Sequence, residues 1–514
     1  MKSIRLFIII FLTALLFVIC LQSVQAVQAQ TGNQSDTTGP DPNEVVNNQS
    51  DTTGNDPQEI LNNQSDTTGN DIQEILNPGQ GDNSFSSGSS GEVRVDRAAF
   101  DSSFEAAGIS EAINLFEEAQ AVEFGQQLGL NLFGEVASAQ NIAQTLDDLY
   151  RQRGKRAAIL YVVSLPDKLQ LLLILANNQP IRKIIPEANR ALLQQVTQEF
   201  RSKVSDPGRN TTYLDSAQKL YQWIIAPFDS VLKANQIDTL VFSMDKGLRS
   251  IPIAALYDGQ QFLIEKYSVS IIPSFSLTDT RYFPITNTRM LAVGISESTQ
   301  GQTPLPAVAV EVSALTNKLW SGQKLLNETS TINNFQAESR QQRFKIIHIA
   351  THAEFRPGRI NNSYIQFWNA KLGFEQLRQL SRELAWQQEP KVEMIVLSAC
   401  RTALGDHQAE LGFVGLALQV GVKTALGSLW AVRDEASLGL MTKFYEQLRT
   451  APIRSEALQK AQLAMLKGQV RIESGKLRLN EQNTLSLPPE LTQGSLNLSH
   501  PYYWSAFTMT GNWN

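Results

Sequence analysis

Phe344-Lys345-Ile346-Ile347-His348-Ile349-Ala350-Thr351-His352 and Val392-Glu393-Met394-Ile395-Val396-Leu397-Ser398-Ala399-Cys400 are short apolar runs, each ending in a residue able to do acid–base or nucleophilic chemistry. Apolar runs of this length, bounded by polar sequence, predict strands buried on both faces. Similar runs occur at Leu240-Val241-Phe242-Ser243, Val269 to Ile272 and Met290 to Gly294, with helical or polar stretches between them. Buried strands alternating with helices predict an α/β domain with a largely parallel central sheet. In open sheets of this kind the carboxyl ends of the strands converge on one edge, so His352 and Cys400 are predicted to reach the same rim.

Working outward, Ala157 to Val163 and Leu169 to Leu175 flank Pro166-Asp167, the pattern of a β-hairpin. Ile109 to Tyr150, Leu192 to Val204, Thr212 to Ala234, Leu438 to Leu448 and Ser455 to Leu466 space their apolar residues as amphipathic helices do. Pro501-Tyr502-Tyr503-Trp504-Ser505-Ala506-Phe507 predicts a closing strand. Residues 30–91 are different: they are rich in Asn, Gln, Ser, Asp, Thr and Gly, and cannot bury enough apolar surface to offset their ordering entropy. Asn33-Gln34-Ser35-Asp36-Thr37-Thr38-Gly39 recurs there from Asn48 and from Asn63, a short duplicated spacer rather than a solenoid. Before it, Lys2 and Arg5 precede an apolar stretch from Leu6 to Leu21, and Ala26 and Ala29 offer cleavage contexts. That is the form of an export signal, with an uncleaved membrane anchor as the alternative. The expected organisation is a signal or anchor at 1–29, a disordered repeat spacer at 30–91, a helical segment at 92–156 and one large domain at 157–514. The expected location is the periplasm or the extracellular space.

Across 514 residues, 42% are hydrophobic and 18% charged, the balance of a globular chain, and the net charge of −6 comes with no Lys/Arg run that would track a nucleic acid. Of two cysteines, Cys20 falls in the apolar leader, which leaves Cys400 as the single thiol of a processed chain and rules out an intramolecular disulfide there. A lone cysteine in an oxidising compartment is a candidate reactive thiol. Gly405, Gly421 and Gly427 are scattered and form no phosphate loop, and no cofactor is expected.

The pair His352 and Cys400 supplies what covalent acyl transfer requires, a thiolate nucleophile and an imidazole that lowers the thiol pKa and protonates the leaving amine. They lie 48 positions apart, close to the spacing of His and Cys in caspases, and Ala399-Cys400-Arg401 matches part of the local caspase signature. Backbone N–H groups of Ala353 and Cys400 are candidate oxyanion donors. Among acids on the loops after the strands, Asp434 and Asp406 are the candidates for substrate binding, where a carboxylate would favour a basic P1 side chain. His348 precedes His352 by four positions, but on a strand such a pair does not share one metal, and His348 is expected in the core or behind the site. His407 and His500 read as surface or packing residues, and no metal site is expected.

Glu265 to Ser276, His348 to Phe355, Leu397 to Gly405, Gly421 to Asp434 and His500 to Gly511, with Gly247-Leu248-Arg249-Ser250-Ile251-Pro252 and Ser428-Leu429-Trp430-Ala431-Val432-Arg433-Asp434, together resemble a CHAT domain of the cyanobacterial type. The resemblance runs from about Ala157 to Trp513. It implies a caspase-like α/β/α sandwich related to caspases and separases, peptidase potential, and a His-then-Cys dyad carried onto His352 and Cys400. Ala353 departs from the Gly that many relatives have after this His. The expected activity is therefore that of a cysteine endopeptidase on protein or peptide substrates, with an activating protein partner as a further expectation. The alternative is a non-catalytic binding or adaptor module in a cell-envelope assembly.

Overall fold

The computed structural model describes residues 95–514 apart from 133, 177, 210, 357–361, 390, 403–413 and 493. The predicted signal and the repeat spacer therefore lie outside the described residues. So do Asp406 and His407.

The hairpin forms as predicted. β1 (Ala157–Ser164) and β2 (Leu169–Leu175) pair antiparallel from Ser164↔Leu169 to Ala158↔Leu175, and the turn closes with Leu165 N–H donating to Lys168 O at 2.9 Å. Both strands are buried throughout because the sheet is covered twice. Ile159, Tyr161 and Val163 pack with the helices Arg97–Ala106, Ile109–Leu128 and Ala139–Arg153, while Ala158, Leu160 and Val162 pack with Leu193, Phe200 and Leu220 of the helices Arg190–Val204 and Leu214–Ile224. The expected helical stretch 109–150 is two helices, because Gly129 adopts φ +61° and ends the first. The stretch 212–234 is likewise broken, into Leu214–Ile224 and Asp229–Ala234, around Pro227, which has no N–H to continue the helical ladder. β3 (Ile181–Ile185) follows at the sheet edge, where exposed Lys183 blunts it against pairing with another chain.

The remaining strands of the main sheet are β4 (Thr239–Met244), β5 (Ser268–Ile272), β6 (Met290–Gly294), β7 (Gly322–Leu326), β8 (Ile346–Phe355), β9 (Tyr364–Gln366), β10 (Lys371–Gly373), β11 (Met394–Thr402) and β12 (Thr424–Ser428), in chain order. A separate four-stranded antiparallel sheet comes next, β13 (Arg471–Glu473), β14 (Lys476–Arg478), β15 (Thr484–Ser486) and β16 (Leu496–Asn497), and β17 (Phe507–Gly511) returns to the main sheet. The described residues thus form a thirteen-stranded sheet whose longest path runs β10-β9-β8-β11-β12-β17-β5-β4-β1-β2-β3, with β6 also docked on β8 and β7 on the far side of β6. The α/β architecture with a largely parallel sheet is the one the sequence predicts.

Two parallel blocks make up the sheet. β7, β6, β8, β11 and β12 are mutually parallel, and so are β1, β4, β5 and β17. β17 joins them by pairing antiparallel to β12 from Thr424↔Gly511 to Ser428↔Phe507. The blocks therefore point their carboxyl ends to opposite edges, and only the first block delivers His352 and Cys400. The predicted closing strand at 501–507 is corrected by the structure. Pro501–Trp504 is a helical turn, since Pro501 suits a helix start and the His500 ring accepts the Tyr502 N–H at 3.1 Å. The strand starts only at Phe507.

Helix Ala307–Ala314 lies on β6 at close range. A Cβ at Gly294 would stand 2.7 Å from Val312 Cγ2 and 2.9 Å from Val308 Cγ1. Gly294→Ala is expected to destabilise by about 1–3 kcal/mol, because β-branched side chains on a helix have little rotamer freedom with which to withdraw. Chemical denaturation measures it, and unchanged stability would show that the helix can lift off β6.

Candidate active site

β8 is long enough to change partners midway. Its first half pairs with β6 from Met290↔Ile346 to Gly294↔Ala350, and its second half pairs antiparallel with β9 at Ala353↔Ile365 and Glu354↔Tyr364. Thr351 and His352 fall between, where β6 has ended and β9 has not begun. On the other flank β8 stays paired with β11, but the register shifts: Ile349 faces Leu397, and His352 faces Ala399. Two residues, Ala350 and Thr351, thus oppose Ser398 alone, a bulge of the kind that re-aims side chains beside functional sites.

This corrects the expectation that the strands end at the reactive residues. β8 runs on to Phe355 and β11 to Thr402, so His352 and Cys400 are both paired strand residues. The extension exists because β9 supplies backbone partners beyond the end of β6. Cys400 is register partner to Ala353, one step along from His352. Backbone pairing thus brings together His352, Ala353 and Cys400, three of the residues singled out in the sequence.

The His352 ring is half-buried, and its Nε2 is 2.8 Å from Thr303 O. A carbonyl oxygen only accepts, so Nε2 carries the hydrogen and, in the neutral ring, Nδ1 is the basic nitrogen. Thr303 sits in the connection from β6 to the helix Ala307–Ala314, the segment that passes over the gap β6 leaves beside β8. No sequence signal marks it, since any residue has a carbonyl.

His348 is fully buried, as expected of a core residue. Its Nε2 is 2.9 Å from Glu311 Oε1 and its Nδ1 3.2 Å from Tyr445 Oη. Tyr445 also meets Trp320 edge to face, so the histidine is held in an aromatic and carboxylate cage. Among the described residues no cluster of His, Cys, Asp and Glu is arranged to hold a metal ion.

Asp434 opens the helix Asp434–Leu448, and its Oδ2 accepts the Ala307 N–H at 2.5 Å. Burial, and then the neighbouring Glu311 and Glu435 carboxyls, push its pKa up to about 7 against the single lowering effect of that hydrogen bond. Glu435, the next residue, is buried and paired with Arg433. The structure thus connects Asp434 to the same β6-to-helix segment that contacts His352, a link of 127 positions that the sequence does not reveal.

The fold and this pair of strands define an α/β protein with a His–Cys constellation on adjacent parallel strands. Residues 214–512, more than half of the chain, match the CHAT domain model, and the chain belongs to the CHAT domain family. The matched stretch starts at Leu214, whereas the sheet itself starts at Ala157. Among solved structures, the separase of Saccharomyces cerevisiae in complex with securin is similar at 11% identity, over 79% of this chain and 34% of the separase chain, with a TM-score of 0.46. The Arg-specific cysteine proteinase gingipain R is similar at 8% identity, over 58% of this chain and 67% of its own, with a TM-score of 0.33. This chain spans about a third of the separase chain's length. At these scores nothing about its chemistry follows from either neighbour. No curated protein matches the chain.

Proposed function

We propose that this chain is a cysteine endopeptidase that cleaves protein or peptide substrates through an acyl-enzyme on Cys400, with His352 as the acid–base partner. The observation that carries the reading is the placement of His352 on β8 next to the Cys400 strand, with Nε2 held by Thr303 O and Nδ1 left as the base. In the proposed reaction the Cys400 thiolate attacks the scissile carbonyl and the protonated imidazole gives its proton to the leaving amine. Water then hydrolyses the thioester with the imidazole as base. Backbone N–H groups of Cys400 and Ala353 are the proposed oxyanion donors. Asp434 and Asp406 are the proposed recognition groups for a basic P1 side chain, and export by residues 1–29 would place the activity outside the cytoplasm.

The test is Cys400 labelling by peptidyl electrophiles of varied P1, alongside the pH profile of its alkylation by iodoacetamide. A thiolate reactive well below the ordinary cysteine range near pH 8.5, lost in His352→Ala, is the expected result. A folded wild-type chain whose Cys400 alkylates as a free thiol, with the same profile in His352→Ala, favours the non-catalytic binding module instead.

A further inference from the structure

We propose that Asp434 is a positioning residue for the His352 imidazole, acting through the segment Thr303-Pro304-Leu305-Pro306-Ala307; this rests on the peptidase reading above. The segment has an anchor at each end. Thr303 O holds His352 Nε2 at 2.8 Å, and the Ala307 N–H donates to Asp434 Oδ2 at 2.5 Å. Between them, Pro304 and Pro306 each fix φ near about −65°, which leaves little slack to absorb a displacement of either end. Leu305 N–H donates to Ser296 O at 2.9 Å, tying the middle of the segment to the loop two residues past β6.

The helix that begins at Ala307 is itself pinned along its length. Val308 and Val312 lie against Gly294, and the buried Glu311 is fixed by His348 on β8. A rigid helix body below and a proline-stiffened segment above leave the first turn as the place where position is set. Its leading N–H has no intrahelical acceptor by construction, and Asp434 supplies one from another helix. The Thr303 anchor is backbone and has no side chain to vary, so Asp434 is the point at which this arrangement depends on residue identity.

The charged and titratable groups acting on Asp434 are Glu311 of the Ala307–Ala314 helix and Glu435 beside it, with His348 and Tyr445 behind Glu311. Glu311 Oε2 is buried without a hydrogen-bond partner. A neutral Asp434 removes one charge from this group while its carbonyl oxygen still accepts from Ala307. What positioning needs is therefore the acceptor and not the charge, and Asn meets that need where Ala does not.

The experiment uses the full chain labelled with ¹⁵N-histidine, as wild type, Asp434→Ala and Asp434→Asn. It reads the tautomer of His352 by NMR and the rate of Cys400 alkylation by iodoacetamide at pH 7, a reagent with no P1 side chain, so a recognition role of Asp434 leaves that rate unmoved. Asp434→Ala is expected to mix the His352 tautomers and slow alkylation by about 10- to 100-fold, with the buried His348 signals unchanged. Asp434→Asn is expected to restore both readouts. Wild-type tautomer and rate in Asp434→Ala overturn the proposal, and so does failure of Asp434→Asn to restore them. If Asp434→Ala does not fold, the Asn variant decides alone: a mixed tautomer or slowed alkylation there overturns it. The tautomer readout needs no activity, so it stands even where alkylation proves independent of His352, the result that would instead remove the peptidase reading.

Discussion

His352→Ala is expected to lower the rate of acylation by about 10²–10⁴-fold, the range for a positioned acid–base group, while leaving the fold intact. The two halves of this expectation come from the same geometry. His352 is only half-buried, and its described polar contact is one hydrogen bond to Thr303 O, whose loss costs about 0.5–1.5 kcal/mol. Its neighbours Thr351 and Ala353 are the buried residues at this point of β8, and they are untouched. Single-turnover kinetics with the best-labelling peptide measure the first half, and a denaturant melt measures the second. A His352→Ala chain that acylates within a few-fold of wild type would mean that another group activates the thiol. A large loss of stability would mean that the imidazole is part of the frame.

Glu393→Ala is expected to show the opposite pattern, a loss of about 3–5 kcal/mol in stability. Glu393 precedes β11 at the amino ends of the site strands, and it is 1% exposed. Its carboxylate lies 3.1 Å from Lys423 Nζ and 2.8 Å from Arg454 Nη2, and both cations are buried with it. Arg454 also donates to Thr424 Oγ1 at 2.6 Å, so the group ties β11, β12 and the helix Arg454–Leu466 together. Removing the anion leaves two cations in a region that cannot solvate them. Replacing all three, with Glu393→Leu, Lys423→Met and Arg454→Met, is expected to recover most of the loss, since a buried ion group is worth little more than apolar side chains of similar volume. Equilibrium denaturation of the single and triple variants checks both statements. A single variant as stable as wild type would mean that water reaches the cluster.

Where apolar runs are unbroken, as in β1, β2, β4, β6, β8 and β11, burial on both faces leaves its mark on every residue of the strand, and the strands were legible. Short elements without such runs were not. β9 and β10 are three residues each, and β13 to β16 form a small sheet of polar-edged pieces such as Arg471–Glu473. Their existence depends on partners brought by the rest of the fold. The helix breaks at Gly129 and Pro227 do have local causes, but apolar periodicity continues across both and hides them. The turn at Pro501–Trp504 was misread because its aromatic residues are as much at home in a strand as in a helix packed on the core.

By itself the sequence determined the alternation of buried strands and helices, the proposed pair His352 and Cys400, and the strands that carry them. Those properties follow from local composition: which side chains avoid water, and which can donate a proton or attack a carbonyl. Only the tertiary structure decided that the sheet is two opposed parallel blocks joined at β17, that β8 trades β6 for β9 at His352, and that a bulge at Ala350 and Thr351 resets its register against β11. It also decided that Thr303 holds the imidazole and that Asp434 holds the segment to which Thr303 belongs. These are pairings between residues far apart in the chain, several made by backbone atoms that every residue shares, and their energies exist only once the strands have met.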